Sequence, residues 1–359
     1  MEVIPYLKLM VQKEASDLFV TSGARVHVKV GGRMVPVGET VLKSADVKTL
    51  IYSVMNDKQI AEFEREWELN KGLSVTGLGR FRVNVFKQRG DLAMVIRYIK
   101  SVIPAIEELN LPPILKEVVM EPRGLVLVVG STGSGKSTTL ASMIEFRNQH
   151  KAGHILTIED PIEYLFKHKK SVINQREVGI DTQTYHYALK NALREAPDVI
   201  MIGEIRDLET MQAAVAYAET GHLCLSTLHA NNANQALDRI KNFYSESAHR
   251  QLYMDLSLNL RAVISQRLLR DVDGGRTPAV EVMLLSSYVS ELILKGDTHA
   301  IKDAMEQSDI RGMQTFDQCL FNLYKAGRIT LDEALQNADS RNDLALRVRL
   351  AEGRDPVVA

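Results

Sequence analysis

Gly130-Ser-Thr-Gly-Ser-Gly-Lys-Ser137 has the spacing Gly-x4-Gly-Lys-Ser, and Thr138 and Thr139 follow at once. The glycines let successive backbone N–H groups turn inward around phosphate oxygens. The lysine can reach the outer phosphates, and the serine hydroxyl can ligate Mg²⁺. An apolar run, 124–129, precedes the loop, and a helical pattern (Leu140, Met143, Ile144) follows it. This strand–loop–helix context separates the motif from an ordinary glycine turn and sets phosphates at a helix N-terminus. The expected contacts to a nucleoside triphosphate are Gly130, Ser131, Thr132, Gly133, Ser134, Gly135, Lys136, Ser137 and Thr138, with Ser137 also a metal ligand.

Carboxylates at neighbouring strand ends decide whether such a site can hydrolyse what it binds. Asp198-Val-Ile-Met-Ile-Gly-Glu204 is an apolar strand ending in an acid, the form of a Walker B element. Gly203 stands where an aspartate usually holds the metal. Glu204 therefore either orients Mg²⁺ through water or activates the attacking water. Thr157-Ile-Glu-Asp-Pro-Ile-Glu163 ends another apolar strand in three carboxylates and a proline turn. Strand ends of a doubly wound sheet converge on a ligand crevice, so Glu163 competes with Glu204 for the role of general base. Solvated turn acids are the plainer alternative.

His222 and His229 bracket a fourth apolar strand. Their odd separation points them to opposite faces of a straight strand, which argues against a shared metal. Either could sense a γ-phosphate, but a lone histidine is more often structural. Arg80 and Arg82 share one strand face, with Phe81, Val83 and Val85 on the other and Arg97 on the partner strand. The plain reading is a solvated face. The sharper one is a set of guanidinium forks that neutralise triphosphate charge across a domain or subunit boundary. Lys167-His-Lys-Lys170 reads as a solvated turn.

The elements that must hold these residues fall into two patterns. Over residues 1–100, helical stretches near 44–55 and 58–67 accompany alternating runs. Val26–Val30 and Arg33–Val37 flank Gly31-Gly32 as a hairpin, and Gly79–Phe86 pairs with Leu92–Ile99. Residues 101–113, with Pro104, Pro112 and Pro113, read as a linker. Over 114–285, short apolar runs at 124–129, 154–158, 198–202 and 223–228 alternate with helices, the mark of a parallel sheet covered on both faces. Residues 286–359 read as a helical C-terminal region.

Composition narrows the class. The 359 residues carry 44 Lys and Arg against 45 Asp and Glu, a net charge of −1 that argues against a nucleic-acid coat or a polybasic membrane binder. Two cysteines, Cys224 and Cys319, form no Cys-x-x-Cys pair, so a reducing compartment fits. No signal-peptide pattern and no membrane-length apolar run is read, and the expected location is the cytoplasm.

Together, the glycine-rich loop, Thr157–Glu163, Gly203-Glu-Ile-Arg-Asp207 and Thr220-Gly-His-Leu…Thr227-Leu-His229 resemble the Walker A, Asp box, Walker B and His box of secretion ATPases. Ala15-Ser-Asp-Leu18, Gly79-Arg-Phe-Arg-Val-Asn84 and Gly312-Met-Gln-Thr-Phe-Asp317 extend the resemblance nearly end to end, to the type IV pilus retraction ATPases of the PilT/PilU kind. It implies a PAS-like α+β N-terminal domain, a RecA-like parallel-sheet ATPase domain with a helical C-terminal region, and a hexameric ring. ATP and Mg²⁺ are the implied cofactors. Arg82 and Arg97 would approach the γ-phosphate, Glu163 would polarise water, Glu204 would support Mg²⁺, and His229 would join the site.

The implied partners are further copies of the chain and the inner-membrane pilus platform protein, at the cytoplasmic face of the inner membrane. No four-cysteine zinc motif or longer N-terminal region of the assembly and type II secretion ATPases is read, which favours retraction over extension. Ser287–Gly296 replaces an Ala-Ile-Arg-Asn-Leu-Ile-Arg string of the main retraction motor. With Thr227–Gln235 and Asn337-Ala-Asp…Arg349, it resembles the accessory PilU branch, which implies the main retraction ATPase as a further partner. A RecA-like nucleic-acid translocase, and a nucleotide-binding scaffold that hydrolyses little, are the alternatives.

Overall fold

The computed structural model describes residues 2–353; Met1 and residues 354–359, the end of the expected C-terminal region, lie outside the described residues. The chain divides into two compact units. One runs to Val102 and includes Ile162–Leu165 and Gly179–Asp181; the other holds Ile103–Pro161, Phe166–Val178 and the chain from Thr182.

The first unit is α+β. Its elements are α1 (Ile4–Gln12), β1 (Asp17–Thr21), β2 (Val26–Val30), β3 (Arg33–Val37), α2 (Ser44–Tyr52), α3 (Asp57–Glu66), β4 (Glu68–Val75), β5 (Gly79–Gln88) and β6 (Asp91–Ile99). The six strands form an antiparallel sheet in the order β3-β2-β1-β6-β5-β4. Gly31 and Gly32 both take positive φ between β2 and β3, the turn that the Gly-Gly pair predicts. Along β5, Phe81, Val83 and Val85 are fully buried while Arg80 and Arg82 face away. Each such side chain contributes about 1.5–3 kcal/mol through burial, and a one-residue slip would exchange them for Arg80, Arg82 and Asn84. The alternation therefore sets the register.

The second unit is α/β. It comprises α4 (Ile114–Met120), β7 (Gly124–Val129), α5 (Lys136–His150), β8 (Gly153–Glu159), β9 (Ser171–Glu177), α6 (Tyr185–Ala192), β10 (Val199–Ile202), α7 (Leu208–Glu219) and β11 (Leu223–Leu228). It continues through α8 (Ala233–Lys241), α9 (His249–Asn259), β12 (Leu260–Arg270) and β13 (Arg276–Leu284). The helices α10 (Ser287–Lys295), α11 (Ile301–Glu306), α12 (Phe316–Lys325), α13 (Leu331–Asn337) and α14 (Arg341–Ala351) complete it. Its seven strands run β13-β12-β7-β11-β10-β8-β9.

All neighbours in this sheet are parallel except β12 and β13, which form an antiparallel hairpin at one edge. The four apolar runs become the central strands β7, β11, β10 and β8, because a strand covered on both faces must be apolar throughout. The outer strands β9, β12 and β13 mix polar and apolar residues and lack that signature. Among the described residues no helix is long and apolar enough to cross a membrane.

Candidate nucleotide site

Because β7, β11, β10 and β8 are parallel, their C-terminal ends share one edge of the sheet. Val129 of β7 opens directly into Gly130, Leu228 of β11 into His229, and Ile202 of β10 into Gly203 and Glu204. The second unit thus brings Gly130–Thr138, Glu204 and His229 together. Arg82, Arg97 and Glu163 belong to the first unit.

Residues 130–137 form the loop that the spacing predicts. Gly133 and Gly135 have φ of 81° and 92°, the left-handed region where a side chain would be strained. Gly135 caps the 15-residue helix α5, whose first N–H groups have no partners within the helix. Lys136 Nζ, largely buried, donates to the carbonyls of Gly130 and Ser131, each at 2.9 Å. Ser134 Oγ is buried without a hydrogen-bond partner. A concave loop, a helix N-terminus, a buried ammonium and an orphaned hydroxyl suit the oxygen-rich, anionic end of a nucleotide.

Gln266, 127 residues along the chain from Thr139, packs against this loop from β12. Its Oε1 accepts a hydrogen bond from Thr139 Oγ1 at 2.6 Å. A Cβ on Gly130 would meet the Gln266 carbonyl at 2.5 Å, and one on Gly135 would meet Gln266 Nε2 at 2.8 Å. Gly130 is therefore required by close approach to the backbone, and Gly135 by its φ. Nothing in the local spacing of β12 marks Gln266.

Glu204 follows β10 and sits in a polar cluster. Its Oε1 is 3.1 Å from His229 Nε2, and its Oε2 accepts from Arg206 Nε at 3.1 Å. Arg206 also lies 3.6 Å from Asp160, and hydrogen bonding to Glu204 raises its already high pKa. The turn that holds Glu204 is fixed by Thr227 Oγ1 donating to Gly203 O at 2.7 Å and Gly203 N donating to Ile158 O at 2.8 Å. The absence of an aspartate at 203 has a steric reason. A Cβ there would meet Tyr185 Oη at 3.0 Å, Glu159 Cα at 3.3 Å and Ile158 O at 3.3 Å.

His222 and His229 lie at opposite ends of β11, so separation along the strand, more than facing, keeps them from sharing a metal. His222 Nδ1 meets Tyr217 O at 3.2 Å and Thr220 Oγ1 at 3.1 Å, a local structural role. Glu159, the first acid of the Asp box, is buried and accepts from Thr157 Oγ1 and Gln175 Nε2.

Within the first unit, Asp17, Arg97 and Arg82 are directly opposed on the adjacent strands β1, β6 and β5. Arg97 Nε donates to the buried Asp17 Oδ1 at 2.8 Å while most of its side chain stays exposed. Glu163 is exposed within Ile162–Leu165, beside the bridge from Tyr164 to Lys100.

The family model of type II/IV secretion system proteins matches residues 3–348. The chain is 51% identical over 356 residues to the type IV pilus ATPase PilU of Pseudomonas aeruginosa, covering 99% of this chain and 93% of that protein. It is 41% identical over 338 residues to the type IV pilus retractation ATPase PilT of the same organism, covering 94% and 98%. The crystal structure of the pilus retraction motor PilT with bound ADP matches with a TM-score of 0.90 at 41% identity, over 96% of this chain and 99% of that one. The Legionella pneumophila ATPase DotB matches with a TM-score of 0.74 at 26% identity, over 92% and 94%.

Proposed function

The chain belongs to the type II/IV secretion system protein family, and on that premise we propose that it is a pilus ATPase of the retraction kind, hydrolysing ATP with Mg²⁺ to power or assist pilus retraction. The observation that carries the reading is the Glu204–His229 pair on the same sheet edge as the glycine-rich loop. ATP bound here would supply the phosphoryl group, and Mg²⁺ held with it would supply charge neutralisation at its oxygens. The N–H groups of residues 133–138 and Lys136 would hold the phosphates, and Ser137 would ligate the metal. Among the described residues no group of three or more His, Cys, Asp or Glu could hold a metal ion. Mg²⁺ commonly relies on substrate phosphates and waters instead, with few protein ligands.

Glu204, oriented by Arg206 and His229, would support the metal through water. Glu163 polarises the attacking water, and Arg82 and Arg97 neutralise charge on the γ-phosphate as it transfers. The working division is an N-terminal domain over 1–100, a linker over 101–113, an ATPase core over 114–285 and a helical region over 286–359. Hydrolysis would change the angle between domains around a hexameric ring at the cytoplasmic face of the inner membrane. The ring would act on the pilus platform protein, alongside the main retraction ATPase. The relatives' names and the near-complete coverage support this reading.

The test is steady-state ATP hydrolysis by the purified chain with Mg²⁺, alone and with single-stranded DNA, beside Glu204→Ala. Turnover indifferent to DNA and about a hundredfold lower in the variant, with ADP binding retained, is expected. Stimulation by DNA would overturn the pilus reading in favour of a translocase. Unimpaired turnover in the variant would overturn the role of Glu204.

A further inference from the structure

Consecutive residues of β12 face opposite sides of the sheet, and at one point both sides carry long polar side chains. Gln266 faces the glycine-rich loop and α5, as described above. Arg267, the next residue, faces the other side, where α8 and the C-terminal helices pack. Its guanidinium makes contacts on three segments distant in sequence. Nη1 donates to Asn337 O at 2.5 Å, and Nη2 donates to Asp339 Oδ1 at 2.6 Å and to Asn231 O at 3.4 Å. The guanidinium carbon also lies 3.9 Å from the ring centre of Phe316.

Both ends of this bridge are built structures. Asn231 belongs to the short loop between His229 and α8, which lines a cavity of about 290 Å³ together with Gly130, Ser131 and Gln235. Asp339 lies between α13 and α14. Its backbone N–H, and that of Ser340, donate to the Asp317 carboxylate at 2.8 and 3.1 Å. Lys302 reaches Asp317 at 3.3 Å and Asp339 at 3.8 Å. The planar fork of arginine can serve three acceptors at once, which a lysine point charge cannot do in the same geometry.

We propose that Arg267 is a positioning residue that holds the His229 loop and makes that hold depend on the C-terminal segment Asn337–Asp339. The C-terminal helices thereby set the rate of turnover without touching nucleotide. The proposal rests on the ATPase reading above, since it assigns a regulator to that same site.

The experiment compares the full chain with Arg267→Ala, Arg267→Lys, Asp339→Ala, Asp339→Asn and the double variant Arg267→Ala with Asp339→Ala. It measures kcat, KM for ATP, binding of a fluorescent ADP, and hydrogen exchange at the amides of 229–232. Expected are a kcat roughly tenfold lower in Arg267→Ala and Asp339→Ala with KM and ADP affinity within about twofold, no rescue by Arg267→Lys, and a double variant no worse than Arg267→Ala. Exchange across 229–232 should quicken in every variant. Asp339→Asn removes the charge with little change of shape, and reports on the link should Arg267→Ala fail to fold. Wild-type kcat with unchanged exchange in the Asp339 variants would overturn the proposal. A parent chain without turnover would overturn the ATPase reading alone, and the exchange result would then decide this one.

Discussion

His229 Nε2 stands 3.1 Å from Glu204 Oε1, so the residues that end two adjacent parallel strands form one polar pair beside the glycine-rich loop. The imidazole held against Glu204 Oε1 keeps that carboxylate aligned beside the loop. His229→Ala is expected to lower turnover by about ten- to a hundredfold while ADP binding stays within a few-fold. Combined with Glu204→Ala, it should add almost nothing further, since the two act as one unit. Fully additive losses in a double-mutant cycle would show that they act separately.

Gly203 is enclosed by Tyr185 Oη, Glu159 Cα and Ile158 O. Gly203→Ala should lose about 1–3 kcal/mol of stability through overpacking, read as a lower urea midpoint. Removing the hydroxyl with Tyr185→Phe should recover part of that loss. No recovery would mean that the backbone contacts dominate the crowding.

Gln266→Leu would leave the buried Thr139 hydroxyl without its acceptor. A cost of about 1–3 kcal/mol is expected, with weaker ADP binding because the loop loses its brace. The paired change Thr139→Val with Gln266→Leu should restore much of the stability, since both polar partners are then gone. Calorimetry and ADP titration separate the two effects.

Burial pushes the Glu281 carboxyl up to about 7, and Asp339 adds to the rise. Hydrogen bonds from Ala233 N–H and Ser265, together with the charge of Arg267, oppose it. In the unfolded chain the group titrates near 4.5, so between these values the folded state holds a proton that the unfolded state has lost. Its contribution is complete below about 4.5 and disappears as pH rises through about 7, on the order of 3 kcal/mol in all. Glu281→Gln keeps an acceptor for Ala233 N–H without the charge. It should match the parent near pH 5 and exceed its thermal stability at pH 8. Identical pH profiles would count against this assignment.

Arg97 has two candidate duties, satisfying the buried Asp17 and meeting a phosphate. Arg97→Ala alone should destabilise the first unit, because Asp17 keeps its charge without its partner. Adding Asp17→Asn should return the melting temperature towards that of the parent but leave turnover low. Recovery of both would reduce Arg97 to a structural role.

How much of this is legible in the sequence depends on how local each feature is. The glycine-rich loop, the β2–β3 hairpin and the alternation of β5 are written in consecutive residues, because loop curvature, turn φ and strand pleat are short-range properties. The four apolar runs announced the central parallel strands for the same reason. The strands β9, β12 and β13 did not announce themselves, since polar residues interrupt their apolar ones as they do in many loops. Gly274-Gly275 between β12 and β13 was the available turn signal.

The amino-acid string by itself determined that a concave glycine-rich loop would form at 130–137 and that acids and a histidine would end the neighbouring strands. Only the tertiary structure decided which of them meet. Glu204 pairs with His229 because β10 and β11 lie side by side in parallel register. Thr139 meets Gln266 across 127 residues, and Arg267 meets Asp339 across 72. Such pairs are selected by sheet order and by the need to satisfy polar groups once water is excluded. A buried glutamine and a solvated one are spelled alike in a sequence; packing alone tells them apart.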